Sequence, residues 1–546
     1  MSAEMVPTPR ARQQALARLS PFELKDVLIA LAGESARQSA GTLLNAGRGN
    51  PNWVATEARE AFFLLGRFAL LACRATRDDG LLAGLPRREG IAAHLERFLD
   101  AHPEEPGAPF LRAVLAFGAG SLGFEADAFV HELADGVVGD HYPSPDRMLP
   151  HAERIAHAYL HQELCGGAPP PGRFDLFAVE GGSAAMCYVF DSLQRNGLLA
   201  AGDRVAILQP IFTPYLEITA LERFRFEVVA LNAVPVRSDG TDTWHFPPSE
   251  LAKLADPSIR MLVCVNPSNP PSQALGGEER AAIMRAVREG NPDLVIVTDD
   301  VYATFVPGFR SLLADLPANC IGVYSFSKHF GATGWRLGVV AVHEDNVMDR
   351  RIARLPPEWS ERLARRYGSL TLAPQRLRFI DRMVADSRDV ALNHTAGLST
   401  PQQVQMALFA LTHLLDAKHA YRDATIRILR HRRDLLWQGL GLPPPPDDPE
   451  RAWYYVTLDL EAWARRSWGD AFFAHLCAHH EPVDFVFRLA EQSGIVLLHG
   501  GGFGGPPWSV RVSLANLDDA DYACIGSHLR EAMQAYVDEW RAAAAP

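Results

Sequence analysis

The 546-residue sequence contains few cysteines, and no two of them form a Cys-x-x-Cys pair. The seven are widely separated, at Cys73, Cys165, Cys187, Cys264, Cys320, Cys477 and Cys524. This spacing argues against a zinc site and against a disulfide framework, and it is typical of a protein of the reducing cytoplasm. We therefore expect a cytoplasmic protein without a metal centre.

Long apolar runs and an excess of basic charge are also missing. No window reaches the roughly 18 uncharged apolar residues of a membrane span, and the first twenty residues lack the apolar core of a signal peptide. The formal net charge is −12, whereas a nucleic-acid partner favours a basic surface. The sequence thus predicts neither a membrane nor a nucleic-acid partner, and its composition is that of a globular enzyme.

Short apolar runs rich in valine and isoleucine are present instead. They span residues 204–210, 260–266, 294–300, 320–327 and 337–343. The runs are continuous rather than alternating, as in strands that are buried on both faces, and most are separated by helical patterns such as 277–292. This arrangement predicts an α/β domain in which a mainly parallel sheet lies between helices.

The rest of the chain predicts a second, smaller α+β domain. A helical pattern covers 421–441 and ends at glycine, and two further apolar strand patterns follow it. We assign residues 1–60 to an N-terminal arm that joins the small domain and 421–546 to the small domain itself. Residues 61–420 form the large domain, with insertions near 70–135 and 345–390; the second, rich in arginine, is expected to be a solvated or subunit-facing helical segment.

Polar clusters follow several of the predicted strands, and ligands of parallel sheets bind outside the carboxyl ends of strands. The strand-end clusters contain an aromatic residue, an amide, an acid and a lysine: Phe212, Asn269, Asp299 with Tyr302, and Lys328 with Ser325, Ser327 and Arg336. A further cluster, Gly182-Ser183-Ala184, opens a predicted helix whose N-terminus favours a phosphate. Taken singly, each cluster also has a plain structural explanation as a cap, turn or surface residue.

Together these groups match one ligand, pyridoxal 5′-phosphate, which has a flat ring, a protonatable nitrogen, a phenolic oxygen, an aldehyde and a phosphate. A lysine forms the Schiff base with this cofactor, and a carboxylate pairs with the ring nitrogen. At about 3 Å and an effective dielectric constant near 20, such an ion pair is worth roughly 5 kcal/mol before desolvation. The paired carboxylate keeps the ring protonated and makes it a strong electron sink.

The order of the motifs over about 170–515 resembles that of the fold-type I aminotransferases: Gly-Gly-Ser, an aromatic residue, Asn-Pro, Asp-x-x-Tyr, Ser-x-Ser-Lys and arginine. The resemblance implies that Lys328 is the Schiff-base lysine, that Asp299 pairs with the ring nitrogen and that Phe212 stacks on the ring. Asn269 and Tyr302 would bind the ring oxygen. The phosphate would be held by the helix start and by hydroxyl and guanidinium groups: Gly182, Ser183, Ala184, Ser325, Ser327 and Arg336. Arg511, in the segment 509–517, matches the arginine that binds the substrate α-carboxylate.

A narrower resemblance, to the aspartate β-decarboxylase family, spans nearly the whole chain. It is carried by residues 19–32, 44–53 and 139–149, by the long insert before 170 and by the segment after 343. It implies conversion of L-aspartate to L-alanine and CO2 with weaker aspartate transamination, in large homo-oligomers built from dimers with shared active sites. It also implies that Tyr142 reaches the neighbouring subunit's phosphate, that Arg48 and Lys25 are additional active-site cations, and that Gly47 adjoins the substrate.

One departure from ordinary aspartate transaminases supports this narrower family. Those enzymes carry an arginine for the side-chain carboxylate shortly before a loop that matches residues 398–403, whereas residues 390–397 here contain none. A bidentate arginine would stabilise that carboxylate in the ground state and oppose the loss of CO2. The sequence therefore predicts an aspartate β-decarboxylase. The alternatives are a plain aminotransferase for an acidic or aromatic amino acid and a non-catalytic cofactor-binding regulator fused to a DNA-binding domain.

Overall fold

The computed structural model describes residues 10–17, 19–39, 43–238, 241–388 and 397–544. The α-helices are α1 Arg10–Leu16, α2 Pro21–Ser39, α3 Glu57–Thr76, α4 Ile91–Ala101, α5 Ala108–Gly120, α6 Ala126–Val138, α7 Pro150–Leu164, α8 Gly182–Arg195, α9 Thr213–Ala220, α10 Pro248–Ala252, α11 Gly277–Glu289, α12 Leu312–Asp315, α13 Val347–Ile352, α14 Pro357–Tyr367, α15 Phe379–Asp386, α16 Thr400–Leu415, α17 Ala420–Leu440, α18 Leu460–Trp468, α19 Asp470–His479, α20 Asp484–Ser493 and α21 Asp519–Ala544. No described helix has the length and apolar character that a membrane crossing requires.

The strands are β1 Leu44–Asn45, β2 Phe174–Val179, β3 Arg204–Gln209, β4 Glu227–Asn232, β5 Val234–Ser238, β6 Thr241–His245, β7 Ile259–Val265, β8 Val295–Asp299, β9 Cys320–Ser325, β10 Gly338–His343, β11 Tyr455–Asp459, β12 Ile495–Val496, β13 Leu498–His499 and β14 Ser509–Ser513. Short 3-10 turns occupy Lys253–Ala255, Ala303–Phe305, Thr333–Trp335, Pro374–Arg376 and Gly500–Phe503.

The central sheet has the order β2-β10-β9-β8-β7-β3-β4. Only β10 runs antiparallel to its neighbours, and the pairs from β9 to β4 are parallel. All residues of β8, β9 and β10 are buried, which explains why their sequences are continuous apolar runs. The predicted α/β class and mainly parallel sheet are confirmed.

Two strands of this sheet were missing from the sequence prediction. Strand β4 lies at one edge of the sheet and exposes several of its residues, so it has no continuous apolar run. Strand β2 lies at the other edge, yet it is buried throughout, including Asp175. This carboxylate is paired with Arg147, at 3.1 Å, and with Arg378. The Asp175 charge interrupts the apolar pattern of the strand, which hid it from the sequence prediction. The carboxylate can be buried because the two arginines neutralise it.

The N-terminal segment packs against the C-terminal part of the chain. Helix α2 contacts α20, β1 pairs in parallel with β12, and Gln13 donates a hydrogen bond of 2.5 Å to Asp484. The predicted long helix near 421–441 is confirmed as α17, which ends at Gly441 in the left-handed conformation (φ 71°) and packs on α21. We keep the division into an arm, a large domain and a small domain, with bounds at about 60 and 420, as a proposal.

The two predicted insertions are helical. Residues 57–138 contain α3 to α6, of which α3, α5 and α6 pack against α16. Helices α13 to α15 form the second insertion, where Asp386 accepts hydrogen bonds from Ser192 of α8 at 2.9 Å and from Tyr367 at 2.8 Å. This buried carboxylate connects the arginine-rich segment to the helix that begins at the predicted phosphate site.

Candidate active site

A cavity of about 320 Å3 lies at the carboxyl ends of the central strands. Most of the predicted site residues line it: Gly182, Ser183, Phe212, Asn269, Asp299, Tyr302, Ser325, Ser327, Lys328, Arg336 and Arg511. They come from six separate segments of the chain. The parallel sheet brings them together because the carboxyl ends of its strands meet at one edge.

Lys328 follows β9, and its amine extends into the cavity beside the N-terminal segment. Its Nζ donates a hydrogen bond of 2.9 Å to the carbonyl oxygen of Gly49, which also accepts from the Tyr454 hydroxyl at 2.8 Å. A Cβ atom at Gly49 would lie 2.5 Å from the Tyr455 hydroxyl oxygen and 3.1 Å from Nζ. Glycine is required here because the backbone itself approaches the lysine.

Asp299 is the last residue of β8 and is buried in the cavity wall. It accepts hydrogen bonds from the Tyr215 hydroxyl and, at 3.2 Å, from the backbone N–H of Val301. Burial raises the pKa of Asp299 to about 6, although both hydrogen bonds and the charge of Lys328 act in the opposite direction. A buried carboxylate of this kind gains most from a cationic partner, such as a protonated ring nitrogen.

Hydrogen bonds link Asn269, Tyr302, Tyr455 and Arg511 along another wall. The Arg511 Nη1 donates to Asn269 Oδ1 at 3.1 Å, and the Tyr302 hydroxyl donates to the Tyr455 hydroxyl at 3.1 Å. Asn269 Nδ2 lies 3.5 Å from the Tyr302 hydroxyl. The amide and the phenol therefore lie side by side, as binding of one ring oxygen by both requires.

Arg511 is fully buried at the centre of β14. Its Nη2 donates to the carbonyl oxygen of Gly47 at 2.7 Å, its guanidinium lies 4.2 Å from the centre of the Tyr455 ring, and its Nε is buried with no hydrogen-bond partner among the described residues. Burial lowers the pKa of Arg511, and the neighbouring tyrosines oppose this shift. No described carboxylate forms an ion pair with it, so it is suited to a carboxylate ligand.

The opposite end of the cavity is built for an anion. Gly181 has φ 87° and precedes α8, whose first residues, Gly182 and Ser183, present their backbone at the helix N-terminus. The Ser325 hydroxyl donates to the Ser327 hydroxyl at 2.9 Å. Arg336 donates to the Glu180 carbonyl oxygen at 3.2 Å and lies so close to Gly181 that a Cβ there would collide with its guanidinium. A helix N-terminus, two hydroxyls and an arginine suit a phosphate.

Five predicted residues do not line the cavity. Lys25, in α2, lies 3.7 Å from Asp26, the side chains of Arg48 and Tyr142 are exposed, and Ala184 lies in the first turn of α8. Gly47 is adjacent, because its carbonyl binds Arg511. Their roles stay predictions. Most of residues 390–397, on which the missing-arginine prediction depends, lie outside the described residues.

Sequence reasoning assigned no role to several residues that line the cavity, notably Gly49, Tyr215, Thr333 and Tyr455. Tyr215 follows Phe212 by three residues in α9, so helical spacing could have placed it on the same face. Gly49 and Tyr455 gave no local signal, since they reach the cavity only through the packing of the N-terminal segment and β11.

Residues 178–526 match the family model for aminotransferase class I and II. The chain belongs to the class I and II aminotransferases. The match covers the central sheet except residues 174–177 of β2, and it covers all of a second, three-stranded sheet of order β11-β14-β13.

Among members of the family, the chain is 46% identical to a bifunctional aspartate aminotransferase and L-aspartate β-decarboxylase from Pseudomonas sp., over 97% of this chain and 98% of that protein. It is 28% identical to human kynurenine–oxoglutarate transaminase 1, over 41% of this chain and 53% of that one. The solved structure of aspartate aminotransferase from Thermus thermophilus with maleate has a TM-score of 0.57 at 18% identity, covering 96% of this chain and all of that chain. The predicted fold-type I architecture is thereby confirmed.

Class I and II aminotransferases depend on pyridoxal 5′-phosphate, and the cavity of this family member fits that cofactor. Lys328 would hold its aldehyde, the buried Asp299 its ring nitrogen, and the α8 N-terminus with Arg336 its phosphate. Arg511, whose Nε has no hydrogen-bond partner among the described residues, is then available for a substrate carboxylate. The cofactor prediction is confirmed at the level of the family.

Proposed function

We propose that the protein converts L-aspartate to L-alanine and CO2, with aspartate transamination as a secondary activity. The observation that carries the proposal is the match over nearly the full length of both chains to a protein named for these two activities. The cofactor site alone would not distinguish it from a plain aminotransferase. The N-terminal segment and both insertions lie within the matched length.

When bound, pyridoxal 5′-phosphate supplies an electron sink for negative charge that develops on the substrate carbons. Lys328 acts as the general base that removes the α-proton, because it is the amine in the cavity. Arg511 would bind the α-carboxylate through its planar fork, and Asp299 would keep the ring nitrogen of the cofactor protonated. Asn269 and Tyr302 would hold the ring oxygen, and Phe212 would pack against the ring.

The handling of the side-chain carboxylate separates decarboxylation from transamination. Among the described lining residues, the arginines are Arg511 and Arg336, and the second lies at the anion-binding end beside α8. This set leaves no further lining arginine to clamp a second carboxylate. A carboxylate without a bidentate partner is less stabilised in the ground state and departs more readily as CO2.

We further propose a cytoplasmic homodimer with shared active sites, which assembles into a larger homo-oligomer. Tyr142 supports this proposal, because its side chain is 58% exposed and does not line the cavity of its own chain. An exposed tyrosine that lies outside the cavity of its own chain is suited to contact a neighbouring subunit.

The test is the product stoichiometry from L-aspartate without any added keto acid. We expect alanine and CO2 in equal amounts over many turnovers, with traces of oxaloacetate. A plain aminotransferase would instead stop after about one oxaloacetate per bound cofactor, since no acceptor regenerates it. Absence of CO2 under these conditions would exclude the proposed function.

A further inference from the structure

A chain of buried polar side chains lies next to Lys328 but outside the cavity lining. It comprises Glu163 of α7, His413 of α16 and His329, the residue that follows the lysine. The Nε2 atoms of the two histidines are 2.6 Å apart, and His413 Nδ1 lies 3.2 Å from a Glu163 carboxylate oxygen. All three residues are buried, and the proposed reaction uses none of them.

The carboxylate sets the direction of these hydrogen bonds. Burial opposes ionisation of Glu163, yet the hydrogen bond from His413 is among the effects that lower its pKa below the ordinary value. An ionised Glu163 only accepts, so His413 Nδ1 donates to it. Burial lowers the pKa of His329 well below its usual value, and this ring is therefore neutral. His413 Nε2 is an acceptor in the tautomer that carries its proton on Nδ1, and we assign His329 Nε2–H as the donor to it.

The backbone of His329 is held as well as its ring. Its carbonyl oxygen accepts from Trp53 Nε1 at 3.0 Å and from the Tyr421 hydroxyl at 2.9 Å. The ring itself lies among aromatic side chains, with its centre 5.1 Å from Phe305 and 5.0 Å from Phe330. The peptide that carries Lys328 is thus fixed from the side of the N-terminal segment and, through the two histidines, from helices α7 and α16.

Stability alone does not account for this arrangement. Two imidazoles and a carboxylate are costly to bury in an aromatic cluster, and apolar side chains of similar volume would serve packing equally well. His329 Nδ1 adds to that cost, because it is buried with no hydrogen-bond partner among the described residues. Hydrogen bonds differ from apolar contacts in fixing an orientation, and the residue that they orient adjoins the Schiff-base lysine.

We propose that Glu163, His413 and His329 form a positioning chain that fixes the peptide of Lys328 and thereby directs its amine into the cavity. The inference rests on the proposed role of Lys328. Misplacement of a reacting group by about 1 Å can lower a rate by about a hundredfold, so this chain is a determinant of turnover rather than of substrate affinity.

The test compares His413→Asn with His413→Gln in the cofactor-bound enzyme. Asparagine places its amide N–H where Nδ1–H of the histidine lies, so Glu163 keeps a hydrogen-bond donor. It leaves His329 Nε2–H without an acceptor. Glutamine reaches the position of Nε2 and accepts from His329. We expect His413→Asn to lower kcat by about tenfold or more with KM changed less than about twofold, and to weaken the visible circular dichroism of the cofactor on Lys328. His413→Gln should retain most of both signals.

Thr412→Val is the matched control, because Thr412 is buried on the same helix and, among the described residues, its hydroxyl donates to the Leu408 carbonyl oxygen alone, at 3.2 Å. Unaltered kcat and dichroism in His413→Asn would overturn the proposal, as would equal losses in Thr412→Val. If neither His413 variant folds, Glu163→Leu takes their place, with the same expected loss. The dichroism reports how the cofactor is held on Lys328 and does not depend on which reaction is catalysed. Absence of CO2 release would therefore refute the proposed function, whereas the comparison of the His413 variants would still test the positioning chain.

Discussion

Arg511 is the buried cation that a substrate carboxylate is expected to neutralise. Its guanidinium already binds Gly47 and Asn269, which fixes the orientation of the fork. We predict that Arg511→Ala raises KM strongly and lowers kcat/KM more than Arg511→Lys does, since lysine keeps the charge but loses the planar fork. Steady-state kinetics with L-aspartate measure both values. Equal losses in the two variants would contradict a bidentate contact.

Arg48 is predicted to act on the side-chain carboxylate. Its side chain is exposed, but it lies between Gly47, which binds Arg511, and Gly49, which binds Lys328. We expect Arg48→Ala to reduce alanine formation by about tenfold, equivalent to about 1.4 kcal/mol, and to affect transamination less, because α-proton removal does not need that contact. The ratio of alanine to oxaloacetate measures this effect. Arg362 is an exposed arginine of α14, and Arg362→Ala is the control variant. An unchanged ratio of alanine to oxaloacetate in Arg48→Ala would assign Arg48 a structural role.

Asp299 makes the cofactor-free protein sensitive to pH. Its pKa of about 6 in the folded state exceeds the ordinary value of 3.8 because the charged form is buried. The folded state therefore binds this proton more tightly, and stability falls as the pH rises from about 4 through about 6. We predict that Asp299→Asn stabilises the cofactor-free protein above that window by up to about 3 kcal/mol. Urea unfolding at several pH values measures the difference, and identical profiles in both proteins would contradict it.

At the scale of elements, the N-terminal segment between β1 and α3 completes the site. Gly47 binds Arg511, Gly49 binds Lys328, and the backbone N–H of Ala55 donates to the Phe330 carbonyl oxygen at 3.2 Å. In the first turn of α3, the Arg59 guanidinium binds the carbonyl oxygens of Phe330, at 3.1 Å, and Gly331, at 2.7 Å. The segment thus joins β14 to the loop that follows the Schiff-base lysine. The position of the segment therefore depends on the backbone path at Gly47 and Gly49, whose carbonyl oxygens make these contacts.

Gly49→Ala tests this dependence. The added Cβ would lie 2.5 Å from the Tyr455 hydroxyl oxygen, so the segment or the tyrosine must move. We expect kcat/KM to fall by about tenfold or more, because Lys328 and Arg511 both lose a defined partner position. Gly334→Ala, where no atom lies within 4 Å of the added Cβ, should behave as the unaltered protein. Similar kinetics for both variants would show that the segment adapts freely.

At the scale of the whole molecule, the proposed dimer predicts complementation between subunits. Lys328→Ala and Tyr142→Phe chains, combined in one dimer, would form one site that has both side chains intact if Tyr142 acts across the interface. We expect recovery of about a quarter of the normal activity in a random mixture.

The matched control combines Lys328→Ala with Arg511→Ala. Both residues line the cavity of one chain, so every mixed site lacks one of them and no activity should return. In the Tyr142 experiment, the mixture could instead be no more active than the sum of the two variants measured separately. That result would place Tyr142 outside the active site of the neighbouring subunit.

The sequence by itself determined five of the seven strands of the central sheet and most of the residues that line the cavity. Strands buried on both faces must be apolar throughout, so β3, β7, β8, β9 and β10 were visible as continuous runs. Apart from Tyr142, the residues predicted to bind the cofactor lie within a few positions of these strands or open α8. Local patterns therefore sufficed for Asp299, Lys328 and the helix start.

Tertiary structure alone decided the features that join distant segments. Gly49 and Lys328 are 279 residues apart, Tyr302 and Tyr455 are 153 apart, and no local pattern marks either contact. The raised pKa of Asp299 and the contact between His329 and His413 likewise follow from burial and from partners on other elements. Hydropathy and spacing are properties of neighbouring residues, whereas the electrostatics of a buried group depend on every segment that the fold packs around it.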